Sequence, residues 1–308
     1  MNILLIAEES IGISFIRYLK HRTTNEVTVV ASPKRKILSG ATTWSTAEQL
    51  GLPRIPAEEV KRRDFPGQIV SRSIDVLISV RSRYIIPEAV LVEPKIGAFN
   101  LHTGPLPGYA GINVINWAIY NGERRHAVTL HHMNADVDSG AIAYTADIDV
   151  DADDSAATVT KKCFRESLVL LKRLISDLES DPSAIPATAQ DLSQRRWFGP
   201  ETPHEGYVPW EEGAKRASNF IRACSYFPFP SPWGIARTLQ DTQEIGVLEA
   251  FPTDQRSDKP AGYVGDIVEP GISISAGDYW VIATEVLING ERESAENILQ
   301  SGKVLRNN

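Results

Sequence analysis

The chain has 308 residues, 42% hydrophobic and 23% charged, enough for two domains with separate cores. No apolar run is long enough to span a bilayer, Glu8 and Glu9 interrupt the first one before it can act as a secretion signal, and two cysteines, Cys163 and Cys224, argue against a disulfide scaffold. The net charge of −7 argues against a general nucleic-acid binder, and the sum points to a cytoplasmic protein.

Residues 2–7 read as a short buried strand, and 11–19 carry helical spacing. A second strand is predicted at 26–31, a helix at 45–50, a short return near Ile55 and a strand at 75–80. The alternation continues through a helix at 87–91 and a strand at 98–102. Such a pattern predicts an α/β domain with a Rossmann-like open parallel sheet. Its first turn, 7–12, lacks a Gly-x-Gly-x-x-Gly cradle and sets two carboxylates where a pyrophosphate would lie, so no dinucleotide is expected. Further strands are predicted at 127–133 and 141–149, then a helix at 155–178 with Val159, Cys163, Leu170, Leu171, Leu174 and Leu178 on one face. The acidic run 147–154 lacks the loop glycine and final glutamate of a calcium loop, so no metal is expected. It reads instead as a turn in which Asp154 or Ser155 caps the following helix. Residues 180–206 are rich in Pro, Ser, Thr and Gln and read as a linker. A helix at 211–224 and strand-like runs at 244–250, 262–268, 280–284 and 285–288 predict a smaller β-rich, OB-like second domain. The expected division is a catalytic domain at 1–185, a linker at 186–206 and a second domain at 207–308.

Asn100 and His102 lie two apart at the carboxyl end of a predicted strand, so their side chains share a face. In an open parallel sheet that end is where ligands bind. Pro105, Pro107, Gly108 and Gly111 then impose a rigid irregular loop. A second loop, 134–140, follows the strand ending near Met133, and Asp138 reaches His102 if the two strands are neighbours. An amide, an imidazole and a carboxylate so placed suit acyl transfer to nitrogen, which needs a donor for the oxyanion and an acceptor for the amine's proton. Taken alone, a histidine after a strand is more often a satisfied structural residue, and an Asn-x-His pair arises often by chance.

The segments Asn100-Leu-His102, Leu106-Pro-Gly-Tyr-Ala-Gly111 and Asp138-Ser-Gly140 together resemble the folate-dependent formyltransferase family. That family includes methionyl-tRNA formyltransferase, glycinamide ribonucleotide transformylase and the sugar N-formyltransferases. Asn116-Trp-Ala-Ile-Tyr-Asn-Gly-Glu123 and Val128-Thr-Leu-His-His-Met133 extend the likeness over about residues 1–180, and the second domain is similar to that of the longer members. The resemblance implies one-carbon chemistry with N10-formyltetrahydrofolate as co-substrate. It implies that His102 polarises the formyl carbonyl, Asn100 donates to the oxyanion and Asp138 relays the amine proton, with burial raising its pKa. It places the pterin against Arg83, Tyr84, Ile85, Asn134, Ala135 and Asp136, and the acceptor against Tyr109, Gly111, Ile112 and Asn113. For Tyr84 and Ile85, core packing stands beside ligand contact, and Trp117, Trp210 and Trp233 are open to both readings.

Nucleotide-sugar amine transferases are the nearest likeness. Thr103-Gly104-Pro105 departs from the common segment after the histidine, and Ile112 stands where transferases for 4-amino-arabinose sugars carry arginine. A methionyl-tRNA enzyme needs a basic second domain, yet residues 201–308 hold nine Lys/Arg against sixteen Asp/Glu. Partners are therefore expected to be small molecules, a primary amine on a nucleotide sugar above all, with neither nucleic acid nor membrane. Formylation of another small amine of the hydroxyornithine type, hydrolysis of the donor, and a non-catalytic folate-binding module are the other readings. The aromatic stretch 226–233 is either a homodimer face or an internal packing surface.

Overall fold

The computed structural model describes residues 1–33, 40–82 and 84–307, so the expectation for Arg83 lies outside the described residues. Along the chain come β1 (Asn2–Ala7), α1 (Glu9–Arg22), β2 (Glu26–Ala31), α2 (Thr43–Gln49), β3 (Arg54–Pro56), α3 (Phe65–Ser71), β4 (Val76–Val80), α4 (Glu88–Leu91) and β5 (Gly97–His102). The strands lie in the order β3-β2-β1-β4-β5, all parallel. Every residue of β4 and all but the first of β1 are buried, which explains their unbroken apolar runs.

The chain continues through β6 (Ala110–Gly111), α5 (Val114–Tyr120), β7 (Arg125–His132) and β8 (Ile142–Asp149). β7 and β8 extend the sheet beyond β5, and β7 runs antiparallel to β5, so the parallel sheet has a mixed edge. The register sets Asn100 opposite His131 and His102 opposite Thr129. α6 (Ala156–Ser180) begins as its sequence signals anticipate. Ser155 Oγ accepts from the Thr158 N–H at 3.3 Å and Thr158 Oγ1 from the Ser155 N–H at 2.9 Å, a reciprocal cap. Asp154 adds to it by accepting from the Thr158 hydroxyl at 2.7 Å.

After β9 (Trp197–Phe198) and α7 (Ala214–Cys224) come β10 (Ala236–Gln240), β11 (Gln243–Arg256), β12 (Val264–Val268), β13 (Gly271–Ser275), β14 (Tyr279–Ile288), β15 (Glu291–Ser294), α8 (Ala295–Ile298) and β16 (Leu305–Arg306). They form an antiparallel sheet in the order β12-β13-β14-β11-β10-β16, with β15 on β14. The two runs expected at 280–284 and 285–288 are one strand. The helix expected from 211 starts at Ala214, because Gly213 takes φ 92° and breaks it from the short turn Trp210–Glu212. Two compact units result: Met1–Gly111, Ala127–Ile148 and Lys162–Trp197 in one; Ile112–His126, Asp149–Lys161 and Phe198–Asn308 in the other. Among the described residues no helix is long and apolar enough to cross a membrane, and no group of three or more His, Cys, Asp or Glu is placed to hold a metal.

Candidate active site

The carboxyl end of β5 carries Asn100 and His102. Across the antiparallel register, the Asn100 Nδ2–H donates to Nε2 of His131 at 3.1 Å. Nδ1 of His131 lies 2.8 Å from the His132 carbonyl, which can only accept. The His131 proton therefore sits on Nδ1, leaving Nε2 as the acceptor. The second N–H of Asn100 meets no acceptor among the described residues.

His102 is buried, and its Nε2–H donates to the Tyr109 carbonyl at 2.6 Å. Burial holds the imidazole below its ordinary value of 6.5, against the opposing pull of Asp138 and the Tyr109 carbonyl. The ring is neutral at pH 7, with its lone pair on Nδ1, 3.6 Å from Asp138 Oδ2.

Asp138 sits in the left-handed region at φ 56° and is buried. The Gly111 N–H donates to Oδ2 at 2.9 Å, and Oδ1 lies 3.5 Å from His131 Nε2. Burial pushes this carboxyl up, but in the acid range where it titrates the charge of His102, together with His131 and the Gly111 amide, outweighs burial and holds it at about 2. A neutral His102 helps the carboxylate less than a charged one would, so the Gly111 amide is the constant part of that stabilisation. The expectation that burial raises Asp138 is overturned for this reason.

A bare imidazole nitrogen beside an ionised carboxylate can take up a proton and form an ion pair with it. His102 cannot also donate to a carbonyl in this state, because its one N–H is engaged with Tyr109. Asn100 is the group here with an N–H to offer an oxyanion.

Three features hold the loops. The Thr129 hydroxyl donates to the Gly104 carbonyl at 2.7 Å and accepts from the Leu106 N–H at 3.3 Å. At Gly140 a Cβ would run into the His132 carbonyl oxygen, so only glycine lets the Asp138 loop pass. From the stretch expected to be a linker, the Gln190 amide donates to the carbonyls of Asp138 and Gly140 at 3.1 and 2.6 Å. Arg195 Nη2 donates to the Val137 carbonyl at 2.6 Å, and Arg196 Nε to the Gly108 carbonyl at 3.3 Å. That stretch packs on both site loops.

The other anticipated residues fall as follows. Tyr84 packs against the core cluster, with Lys61 Nζ 5.6 Å from its ring centroid, whereas Ile85 is 69% exposed. Asn134, Ala135 and Asp136 are exposed, and the Ser139 hydroxyl donates to Asn134 Oδ1 and to the Asp136 carbonyl, both at 2.8 Å. The Tyr109 ring is buried under the Arg196 guanidinium, 5.0 Å away, and Gly111 has φ 102°. Ile112 is half exposed, and Asn113 opens α5 at φ 56°. Trp117 packs edge-on against Trp233, and the buried Trp210 Nε1–H donates to the Thr238 hydroxyl at 3.2 Å. Glu8 accepts from the Ser32 N–H at 3.2 Å, while Glu9 pairs with Arg81 at 3.1 Å. Sequence reasoning gave no role to His131, although it lies in an alternating strand and inside the Val128–Met133 segment that carries the family likeness, nor to Gln190, which had no sign.

An amide, two imidazoles and a carboxylate at the carboxyl end of a Rossmann-like sheet have the make-up of an acyl-transfer enzyme. Residues 2–174 match the formyl transferase family, and residues 201–303 match the C-terminal domain of formyl transferases. The chain belongs to the formyl transferase family and is an enzyme that transfers formyl groups. It is 26% identical to the methionyl-tRNA formyltransferase of Thermotoga neapolitana over 310 residues, covering 99% of this chain and 96% of that protein. Among solved structures it is similar in fold to an N-formyltransferase from Helicobacter canadensis in complex with folinic acid and dTDP-3-aminofucose. The TM-score is 0.69 at 17% identity, over 91% of this chain and 98% of the other. HypX from Aquifex aeolicus gives a TM-score of 0.62 at 17% identity, over 96% of this chain and 46% of that one.

Proposed function

We propose that the enzyme moves a formyl group from N10-formyltetrahydrofolate to the primary amine of a nucleotide-linked amino sugar, with Asn100, His102 and Asp138 as its reacting groups. The observation that carries the chemistry is the neutral His102 beside the ionised Asp138. The amine nitrogen attacks the formyl carbon, the carbonyl becomes an oxyanion, and the second N–H of Asn100 donates to it. Nδ1 of His102 accepts the proton shed by the amine, and Asp138 stabilises the imidazolium that results. Collapse expels N10 of the folate, which takes a proton back from His102, and the acceptor leaves as a formamide. Among the described residues the donor's ring is met by the backbone of 84–85 and 134–136, of which Ile85 and Asn134, Ala135 and Asp136 are exposed. Tyr109, Gly111, Ile112 and Asn113 border the acceptor in the same reading. The catalytic domain is taken as 1–185, with 186–206 joining it to 207–308.

The acidic balance of residues 201–308 supports a small acceptor over tRNA, as does the dTDP-amino sugar held by the Helicobacter relative. A methionyl-tRNA acceptor is the second reading, favoured by the 26% identity to the Thermotoga enzyme over nearly its full length. The two separate when N10-formyltetrahydrofolate loss is followed with amino-sugar nucleotides, methionyl-tRNA, hydroxyornithine and buffer alone. Turnover with an amino-sugar nucleotide upholds the proposal. Turnover with methionyl-tRNA alone replaces it with the second reading, and turnover in buffer alone identifies a hydrolase.

A further inference from the structure

Of the six tryptophans, Trp197 alone is exposed, at 56%; the other five are buried or half-buried. It sits where the 186–197 segment meets the active-site loop. The Ala110 N–H donates to the Arg196 carbonyl and the Ile112 N–H to the Phe198 carbonyl, both at 3.0 Å, so Trp197 lies between the two bonds. Its backbone runs about one strand spacing, ~4.8 Å, from Gly111. The Gly111 N–H in turn holds the Asp138 carboxylate.

Arg195 accompanies the indole, its guanidinium carbon 5.3 Å from the ring centroid. Nη2 ties this guanidinium to the Val137 carbonyl of the Asp138 loop at 2.6 Å, Nε is buried, and neither Nε nor Nη1 meets an acceptor among the described residues, which leaves Nη1 as the N–H group for an anion. A fixed cation beside a half-bare indole presents two complementary surfaces. The flat π-face suits an aromatic ring, and the N–H groups suit an anion.

We propose that Trp197 and Arg195 are the nucleotide-recognition site of this enzyme, taking a nucleoside diphosphate with its base on the indole and its phosphates at the guanidinium. This rests on the nucleotide-linked acceptor reading and deepens it. A base lies several bonds from the sugar amine, so its platform need not touch the reacting atoms. The folate ring is the competing occupant, because Trp197 borders the 109–111 segment while Arg195 reaches the Val137 carbonyl next to 134–136. A lone sugar would leave the guanidinium unused.

The test is calorimetric titration of UDP and dTDP into wild type and Trp197→Ala, with KM measured for donor and acceptor. Trp197→Ala is expected to weaken nucleoside-diphosphate binding by about tenfold, within the ~5- to 150-fold span of base–aromatic stacking, and to raise the acceptor KM alike. The donor KM stays put, and Trp197→Tyr recovers most of the loss. Arg195→Met weakens UDP and dTDP but not uridine and thymidine. Equal thermal midpoints for wild type and variants show that the fold is intact. Unchanged diphosphate affinity in Trp197→Ala, with transfer to an amino-sugar nucleotide still running, overturns the platform and leaves the acceptor reading standing. Absence of both diphosphate binding and nucleotide-sugar turnover in wild type overturns both. A rise confined to the donor KM reassigns the indole to folate and also overturns the proposal.

Discussion

Asn100 on β5 and His131 on β7 face each other across an antiparallel register, and the amide of the first donates to the imidazole of the second over 3.1 Å. The contact fixes the asparagine head group, so its remaining N–H has a set direction. Asn100→Ala should lower kcat by about 10²- to 10³-fold, as for loss of one oxyanion donor, with donor KM little changed. His131→Leu, which frees Asn100 to turn and removes the imidazole beside Asp138, should cost at least about fivefold, the worth of one hydrogen bond of ~1 kcal/mol, and less than Asn100→Ala. Equal losses in the two variants would contradict a positioning role for His131.

The buried pair also sets how stability responds to acid. Below 6.5 the unfolded chain protonates His102 while the folded chain resists, so stability should decline as pH falls through 6.5. Asp138 acts lower, since the unfolded carboxyl protonates near 3.8 and the folded one only near 2. A further loss of about 2 kcal/mol at most should therefore accumulate as pH falls between those values. Urea titrations at stepped pH should show His102→Gln flattening the upper slope and Asp138→Asn the lower. Stability that rises on acidification through 6.5 would be incompatible with a neutral buried imidazole.

Gln190 clamps the carbonyls on either side of Ser139 and so holds Asp138 in its left-handed conformation. Gln190→Leu should reduce kcat about tenfold, with KM for both substrates nearly unchanged, if its two hydrogen bonds of ~1 kcal/mol each keep the carboxylate in place. A rise in KM without a fall in kcat would assign Gln190 to substrate binding.

Gly140 has no room for a side chain against the His132 carbonyl. Gly140→Ala should lower stability by roughly 1–3 kcal/mol and displace Asp138, which thermal unfolding and a turnover assay would both register. Full activity in that variant would show that the loop can move without harm.

The sheet was largely legible in the sequence because strands buried on both faces must be apolar throughout, as β1 and β4 are. Asn100 and His102 were legible from their shared face at a strand end. The reversal of β7 was not, since a strand's direction leaves no mark on its own composition, and His131 was overlooked with it. β13 escaped because two of its five buried residues, Ser273 and Ser275, read as polar. Gln190 lay in a stretch whose composition resembles a spacer, although its side chains hold two site loops. The direction of the Asp138 shift depended on His102, on His131 across the register and on the Gly111 amide, and neither His131 nor that backbone amide was visible as a partner in the sequence.

Formyl transfer to an amino-sugar nucleotide through His102 and Asp138 is tested most directly by mass spectrometry of the acceptor after incubation with N10-formyltetrahydrofolate. Wild type should convert the amine to its formamide, while His102→Ala and Asp138→Asn leave it unmodified although both still bind the donor. Formamide formed at wild-type rate by either variant would contradict the account at its centre.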